Sequence, residues 1–305
     1  MSATTVCGEE DVNMTRETKG EKAFHIITNI VCIVLMLVMV YPILHVLFAS
    51  LSDSNKLMTN GGFLFYPQGF TLAAYEEVFQ NRLIWSGYLN TLINLVFALL
   101  LNISLTTLGA YALSRREMML RRPIMLMITF TMFFSGGMIP NYILIRHLGM
   151  VDTRWALFVP AAISAYNLII MRTSFESIPE TLFEAAKLDG AGEFATLFRV
   201  ALPVSKAIIA VMILFYAVEQ WNSWFPAFIY LKDRGLWPLQ LVLREIVISN
   251  NLSDMLTGID SAELVSVSES IKYATIVVAT FPILCIYPFL QKYFVKGVMI
   301  GAVKG

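Results

Sequence analysis

Six stretches of the chain run almost free of charge, and their lengths set the first expectation. They cover residues 26–49, 83–114, 123–145, 155–171, 207–231 (interrupted at Glu219) and 273–291. A helix needs about 20 apolar residues to cross the hydrocarbon core of a bilayer, so the pattern predicts six membrane-spanning helices. The fourth run is the shortest and contains Pro160, which neighbouring helices accommodate. The first outlasts a secretory h-region and passes through Tyr41-Pro42 without a small-residue cleavage site, so it reads as a retained helix. Two longer segments, 51–82 and 232–272, hold amphipathic pieces around Thr71–Phe79 and Pro238–Ile248. Each is expected to lay a short helix on the membrane surface. The expected fold is all-α and polytopic. It divides into a polar segment 1–23, a first transmembrane helix 24–50, an external loop 51–82, a core 83–291 and a tail 292–305.

Composition strengthens this picture. The chain is 57% hydrophobic and only 14% charged, against about 25% charged in an ordinary soluble domain. The formal net charge is +0, which gives no electrostatic reason to expect a nucleic-acid partner. The placement of charge says more than its sum. Arg16, Lys19, Lys22, Arg115, Arg116, Arg121, Arg122, Arg172, Lys187, Arg199, Lys206, Lys292, Lys296 and Lys304 fall on one side of the predicted topology, 14 of 22 basic residues. By the positive-inside rule that side is cytoplasmic, with both termini on it.

Catalytic chemistry finds no foothold. Cys7, Cys32 and Cys285 have no C-x-x-C spacing, and His25, His45 and His147 are scattered, so neither a disulfide framework nor a metal site is expected. There is no phosphate-cradling Gly-x-x-x-x-Gly-Lys loop, nucleophile elbow or His-Glu-x-x-His pattern, and no resident cofactor is expected. The chain reads as something other than an enzyme.

The segment 172–203, between the fourth and fifth runs, is too structured for a connector. Pro179 and Glu180 suit the start of a helix, where a fixed φ and a negative charge are favoured. Leu182, Phe183, Ala186 and Lys187 continue that helix, and Gly190 sits where a left-handed cap is needed. Phe194, Leu197, Phe198 and Ala201 then recur at i, i+3, i+4 and i+7, predicting a second helix with one apolar face. Pro203 is placed to open the fifth span. Ala185 and Ala186 form a small-residue patch beside Glu184. Two readings fit: a bent element that receives force from a soluble partner, or an amphipathic pair lying on the membrane.

The residues Glu184-Ala185-Ala186, Gly190, Val200 and Leu202-Pro203 resemble the EAA loop of binding-protein-dependent ATP-binding-cassette (ABC) importer permeases, with Val for the usual Ile. The resemblance implies that Glu184, Ala185, Ala186, Gly190, Leu202 and Pro203 carry the contact to an ATPase. It also implies the rest of the assembly: two cytoplasmic ATP-binding subunits that hold the ATP, a second homologous permease subunit and an extracytoplasmic solute-binding protein. Phe65-x-Pro67-x-x-x-Thr71-x-x-x-Tyr75 resembles the first outer loop of carbohydrate importers of the maltose-permease type. The ending from Tyr293-Phe294 to Gly305 is similar to the tail of their smaller permease subunit, and Ser135-Gly136-Gly137-Met138-Ile139-Pro140 resembles a subgroup that takes up complex oligosaccharides. Ala207 departs from the family, in which many relatives have proline. The function so implied is ATP-driven import of a carbohydrate, with an ion-coupled secondary transporter or channel as the alternative. Such transporters often show internal repeats and several intramembrane charges, whereas here only Glu219 is clearly placed inside a span.

Glu219 falls near the middle of the fifth charge-free run, where a charge costs at least about 2.5–3.5 kcal/mol on insertion scales and should face protein or water. With Gln220, Trp221 and Asn222 it forms a candidate translocation path, polar groups beside an aromatic ring being suited to a sugar. The same residues also suit a helix–helix contact. Asn90, Asn94 and Asn102 share one arc of the second span and are expected to be packing contacts.

Overall fold

A computed structural model of the chain describes residues 19–59, 62–256 and 270–285. Residues 1–18 of the polar segment, the end of the sixth run at 286–291, and the tail with its Tyr293–Gly305 pattern lie outside the described residues. All regular structure among the described residues is helical, apart from one antiparallel bridge between Ser52 and Phe70.

The elements are α1 (Lys19–Ser50), α2 (Ser54–Thr59), α3 (Ala73–Gln80), α4 (Arg82–Ser114), α5 (Arg121–Phe133), α6 (Met138–His147), α7 (Trp155–Phe158), α8 (Ala165–Glu176), α9 (Glu180–Leu188) and α10 (Glu193–Thr196). A π-helical turn, Leu197–Ala201, leads through α11 (Leu202–Val204) into α12 (Lys206–Asn222) and α13 (Phe225–Tyr230). A short 3₁₀ turn at Arg234–Leu236 precedes α14 (Leu239–Leu256), and α15 is Ser270–Cys285.

The axis of the bundle is α4, 33 residues long and so about 50 Å at 1.5 Å per residue. Its buried positions are mostly small or polar: Gly87, Asn90, Thr91, Asn94, Ala98, Asn102, Thr106, Thr107 and Ala110. Small side chains let helix backbones approach where lipid offers no hydrophobic gain, which is why α8, α12 and α14 all pack here. By contrast, α1 buries only Ala49 and Ser50 at its end and exposes its remaining apolar length.

By length and composition α1 and α4 can each cross a membrane, and two bent pairs could each serve as one further span. The third charge-free run is broken: α5 and α6 meet at 116°. Gly137 takes φ +83°, a conformation that L side chains rarely adopt, and so turns the chain without interrupting its hydropathy. The fourth run likewise divides around Pro160 into α7 and α8, where Tyr216 Oη accepts the Ser164 N–H at 3.1 Å.

At one end of α4, the segment 230–238 is tied to the bundle by two residues. Asp152, in the left-handed region at φ +63°, accepts the N–H groups of Lys232 and Asp233 at 2.8 and 2.9 Å. Arg154 donates to Asn90 Oδ1 at 2.7 Å, and Asn90 Nδ2 donates to the carbonyls of Gly235 and Trp237 at 2.7 and 3.0 Å. The two backbone donors hold the Asp152 carboxyl below its ordinary value. Its stabilising effect is therefore fully present above about pH 4 and is lost as pH falls through the lowered pKa. Asp152→Asn should lower the thermal unfolding temperature at pH 7, with the difference from the parent closing below pH 4. A constant difference down to pH 3 would remove the carboxylate from this role.

Candidate functional site

The segment predicted to be two helices forms an elbow at the basic end of α4. α9 begins after Pro179, which occupies the N-cap, and ends in a Schellman closure. The Ala191 N–H bonds to Ala186 O at 2.9 Å and the Gly190 N–H to Lys187 O at 3.1 Å. Gly190 takes φ +77° with nothing within 4 Å of a built Cβ. The demand for glycine is therefore conformational rather than steric. Gly190→Val should cost about 1–2 kcal/mol and fray the end of α9, while Gly190→Asn should cost a few tenths. Thermal unfolding of the two variants checks this, and equal losses would contradict it.

The elbow is seated on a core contributed by α4, α8 and α12. Phe183 from α9, with Leu197 and Ala201 from the π turn, packs with Tyr111, Met171, Phe175 and Met212, and Ala186 of α9 is buried. Tyr111 Oη donates to Glu193 Oε2 at 2.8 Å, and Arg115 lies 4.0 Å from the Phe183 ring centroid. Two ion pairs join α9 to the basic loop after α4: Arg116 with Glu180 at 3.5 Å and Lys187 with Glu117 at 3.0 Å. Lys187 holds the Glu117 carboxyl below its ordinary range by hydrogen bond and charge. Arg121 and Arg172 both pair with Glu176. The charge-patterned loop 115–122 and the segment 172–203 thus meet at one end of the molecule.

Two details differ from the expected arrangement. Ala185 is exposed while Ala186 is buried, so the predicted small-residue patch is split between the outer and the core side of α9. Leu197 and Ala201 are buried, but Phe194 and Phe198 are 71% and 61% exposed. The Glu193–Tyr111 bond and the burial of Thr196 rotate this stretch so that the two phenylalanines flank the packed face. On the outer side of the elbow stand Glu184, Ala185, Leu188, Phe194 and Phe198, all exposed. Glu176, Glu180 and Glu193 have side-chain partners, whereas Glu184 has none among the described residues. Leu202 is partly buried against the same core, and Pro203 is exposed in α11, ahead of the 86° bend into α12.

The path candidates lie at the far end of α12. Glu219 stands three residues from the helix end rather than in mid-span, because Ser223 leaves helical geometry and Pro226 opens α13. Glu219 and Asn222 are exposed and Gln220 is partly so. Trp221 points the other way, 5% exposed, with its ring 6.5 Å from Tyr88. It therefore belongs to the packing and leaves the path set. The 17 residues of α12, about 25 Å long, run from the bend after the elbow to the path candidates at the far end. Sequence reading missed Arg154 and Arg244, the second lying 3.5 Å over the Trp224 ring. Among the described residues no group of His, Cys, Asp and Glu could hold a metal ion.

Comparison with known proteins gives this arrangement its context. Residues 105–300 match the family described as binding-protein-dependent transport system inner membrane component. The polygalacturonan/rhamnogalacturonan transport system permease protein YtcP of Bacillus subtilis (strain 168) is 41% identical over 88% of this chain and 94% of its own length. Protein LplC of the same organism is 38% identical over 97% of this chain and 99% of its own. A crystal structure of a bacterial ABC transporter involved in the import of the acidic polysaccharide alginate contains a chain that superposes with TM-score 0.83 at 31% identity, covering 91% of this chain and 99% of that one.

Proposed function

This chain belongs to the family of binding-protein-dependent transport system inner membrane components, and on that premise we propose that it carries an oligosaccharide across the cytoplasmic membrane, driven through its elbow by ATPase subunits. As a permease of an ABC importer it is a transporter component and not an enzyme, and the ion-coupled alternative falls away. Carbohydrate as the substrate draws support from YtcP and from the alginate importer.

The observation that carries the coupling role is the outward face of α9. Glu184 and Ala185 are presented on a short helix held by the Schellman closure at its C-terminal end, by the packing of Phe183 and the burial of Ala186, and by exposed ion pairs to the basic loop. Such a helix cannot yield locally when pushed. Glu184 supplies a carboxylate without a partner among the described residues, and the exposed Phe194 and Phe198 supply apolar area to a docking protein. Force entering there passes through the π turn, Leu202 and Pro203 to the 86° bend, and so into α12, whose far end carries Glu219, Gln220 and Asn222. Closure of two ATP-binding subunits would turn this rod and exchange outward for inward access at the interface with a second, homologous permease. A six-span topology with both termini and the elbow cytoplasmic is part of this reading, supported by the six charge-free runs and by the basic residues gathered at the elbow end. The segments 51–82 and 232–272 then face an external solute-binding protein.

Purification of the tagged chain from its native membrane tests this reading. A second permease and an ATPase should co-purify, and vesicles holding the complex and its binding protein should take up an oligosaccharide only with ATP inside. Uptake driven by an ion gradient without ATP would overturn it.

A further inference from the structure

At the opposite end of the bundle from the elbow, a cavity of about 340 Å³ opens between α14, α15 and Trp224. Its polar lining comes from Gln240, Arg244 and Thr280, its apolar lining chiefly from Leu243, Val247 and Ile276. Arg244 lies against two aromatic rings, its guanidinium carbon 3.5 Å from the Trp224 ring centroid and 5.6 Å from that of Phe228. No carboxylate lies within ion-pair distance of it among the described residues, and the adjacent acid in the chain, Glu245, is engaged by Arg234. Contact with the Trp224 face restricts the guanidinium, and its fork of N–H donors has no carboxylate partner among the described residues. Trp224 directly follows the turn of α12 that carries Gln220 and Asn222, so the cavity adjoins the proposed path.

We infer that this cavity is a subsite for the carboxylate of an acidic sugar unit, with Arg244 as the residue that selects a uronate over its neutral counterpart. A planar guanidinium pre-set on aromatic rings pairs with a carboxylate through two parallel hydrogen bonds. The Gln240 amide can reach a ring hydroxyl, and the Leu243–Val247 wall accepts the C–H face of the sugar. The volume suits about one sugar unit, so the subsite reads one residue of a longer chain. The inference rests on the carbohydrate reading above and narrows it.

The test uses the complete transporter in vesicles, with trigalacturonate and its fully methyl-esterified form as probes. Arg244→Gln should raise KM for the acid about tenfold with kcat little changed, and Arg244→Lys should fall between. Uptake of the ester should stay within twofold of the parent, since delivery by the binding protein is the same for both chains. Trigalacturonate should also bind the detergent-purified permease–ATPase complex without the binding protein, and Arg244→Gln should weaken that binding by a similar factor. Equal losses for acid and ester, unchanged acid binding, or a variant that alters only retention of phosphatidylglycerol would each overturn the subsite. All three leave the carbohydrate reading standing. Absence of ATP-dependent uptake of any saccharide by the parent would instead defeat that reading, and the subsite with it.

Discussion

Glu184→Lys is expected to leave the chain folded and inserted but to strip the ATPase from the purified complex and reduce ATP-driven uptake at least about 30-fold. The fold should survive because Glu184 is exposed and bonds to nothing among the described residues. The new lysine would even gain Glu180 as a partner one turn away, worth a few tenths of a kcal/mol on an exposed helix. The interface should not survive. On the proposed coupling role Glu184 becomes buried against a cation of the ATPase. Reversal then replaces an attraction with a repulsion, and losing one partner of a buried, hydrogen-bonded charge pair alone costs about 2–5 kcal/mol. At about 1.4 kcal/mol per decade, the lower bound gives the 30-fold figure. Glu184→Gln should be milder. The readouts are ATPase recovery on a tagged permease, uptake in vesicles, and thermal unfolding as the check on folding. Full recovery of the ATPase with unimpaired uptake would take Glu184 out of the contact, and the docking face would have to lie around Phe194 and Phe198 instead.

The elbow was legible because its signals are local. Pro179 starts a helix and Gly190 ends one, and both act within a few residues of themselves. The charge asymmetry was equally readable, and the loops at 115–122 and 172–203 do meet, through Arg116–Glu180 and Lys187–Glu117. What stayed hidden depends on partners distant in sequence or on geometry that hydropathy does not sense. Gly136-Gly137 breaks the third run without adding a polar residue, so the run reads as continuous. Trp221 looked like a path residue because its neighbours are polar, yet its direction is set by Tyr88 on another helix. Glu219 looked central because the apolar run extends to Leu231, while the helix itself ends at Asn222. Arg154 reads as one more loop charge until Asn90, 64 positions away, is seen to receive it.

The three buried asparagines of α4 read alike in sequence, and the structure separates them, which gives the second large effect. Asn90→Leu should destabilise the protein by about 3 kcal/mol, whereas Asn102→Leu should be neutral within about 0.5 kcal/mol or stabilising. Asn90 joins a guanidinium to two backbone carbonyls of the segment before α14. Leucine would leave all three without that partner, and Arg154 would keep only a 3.5 Å contact to Asn94. Each unsatisfied buried group costs about 1–3 kcal/mol, and more when charged. Polar contacts between membrane helices often measure less, near 0.6 kcal/mol, because the unfolded chain in lipid finds other partners. The carbonyls of Gly235 and Trp237 belong to a loop at the end of the bundle, so their alternative is water, and a figure well above that average is expected. Asn102 has a buried Oδ1 with no partner among the described residues, so leucine there removes a cost already present. Thermal unfolding in detergent should separate the two variants, and protease cleavage within 230–238 should rise only for Asn90→Leu. Equal effects would mean that α4 tolerates or resists leucine by volume alone. The expected contrast would instead show that the outer segment, with Arg244 on the helix it leads into, is held to the bundle through Asn90 and moves with α4.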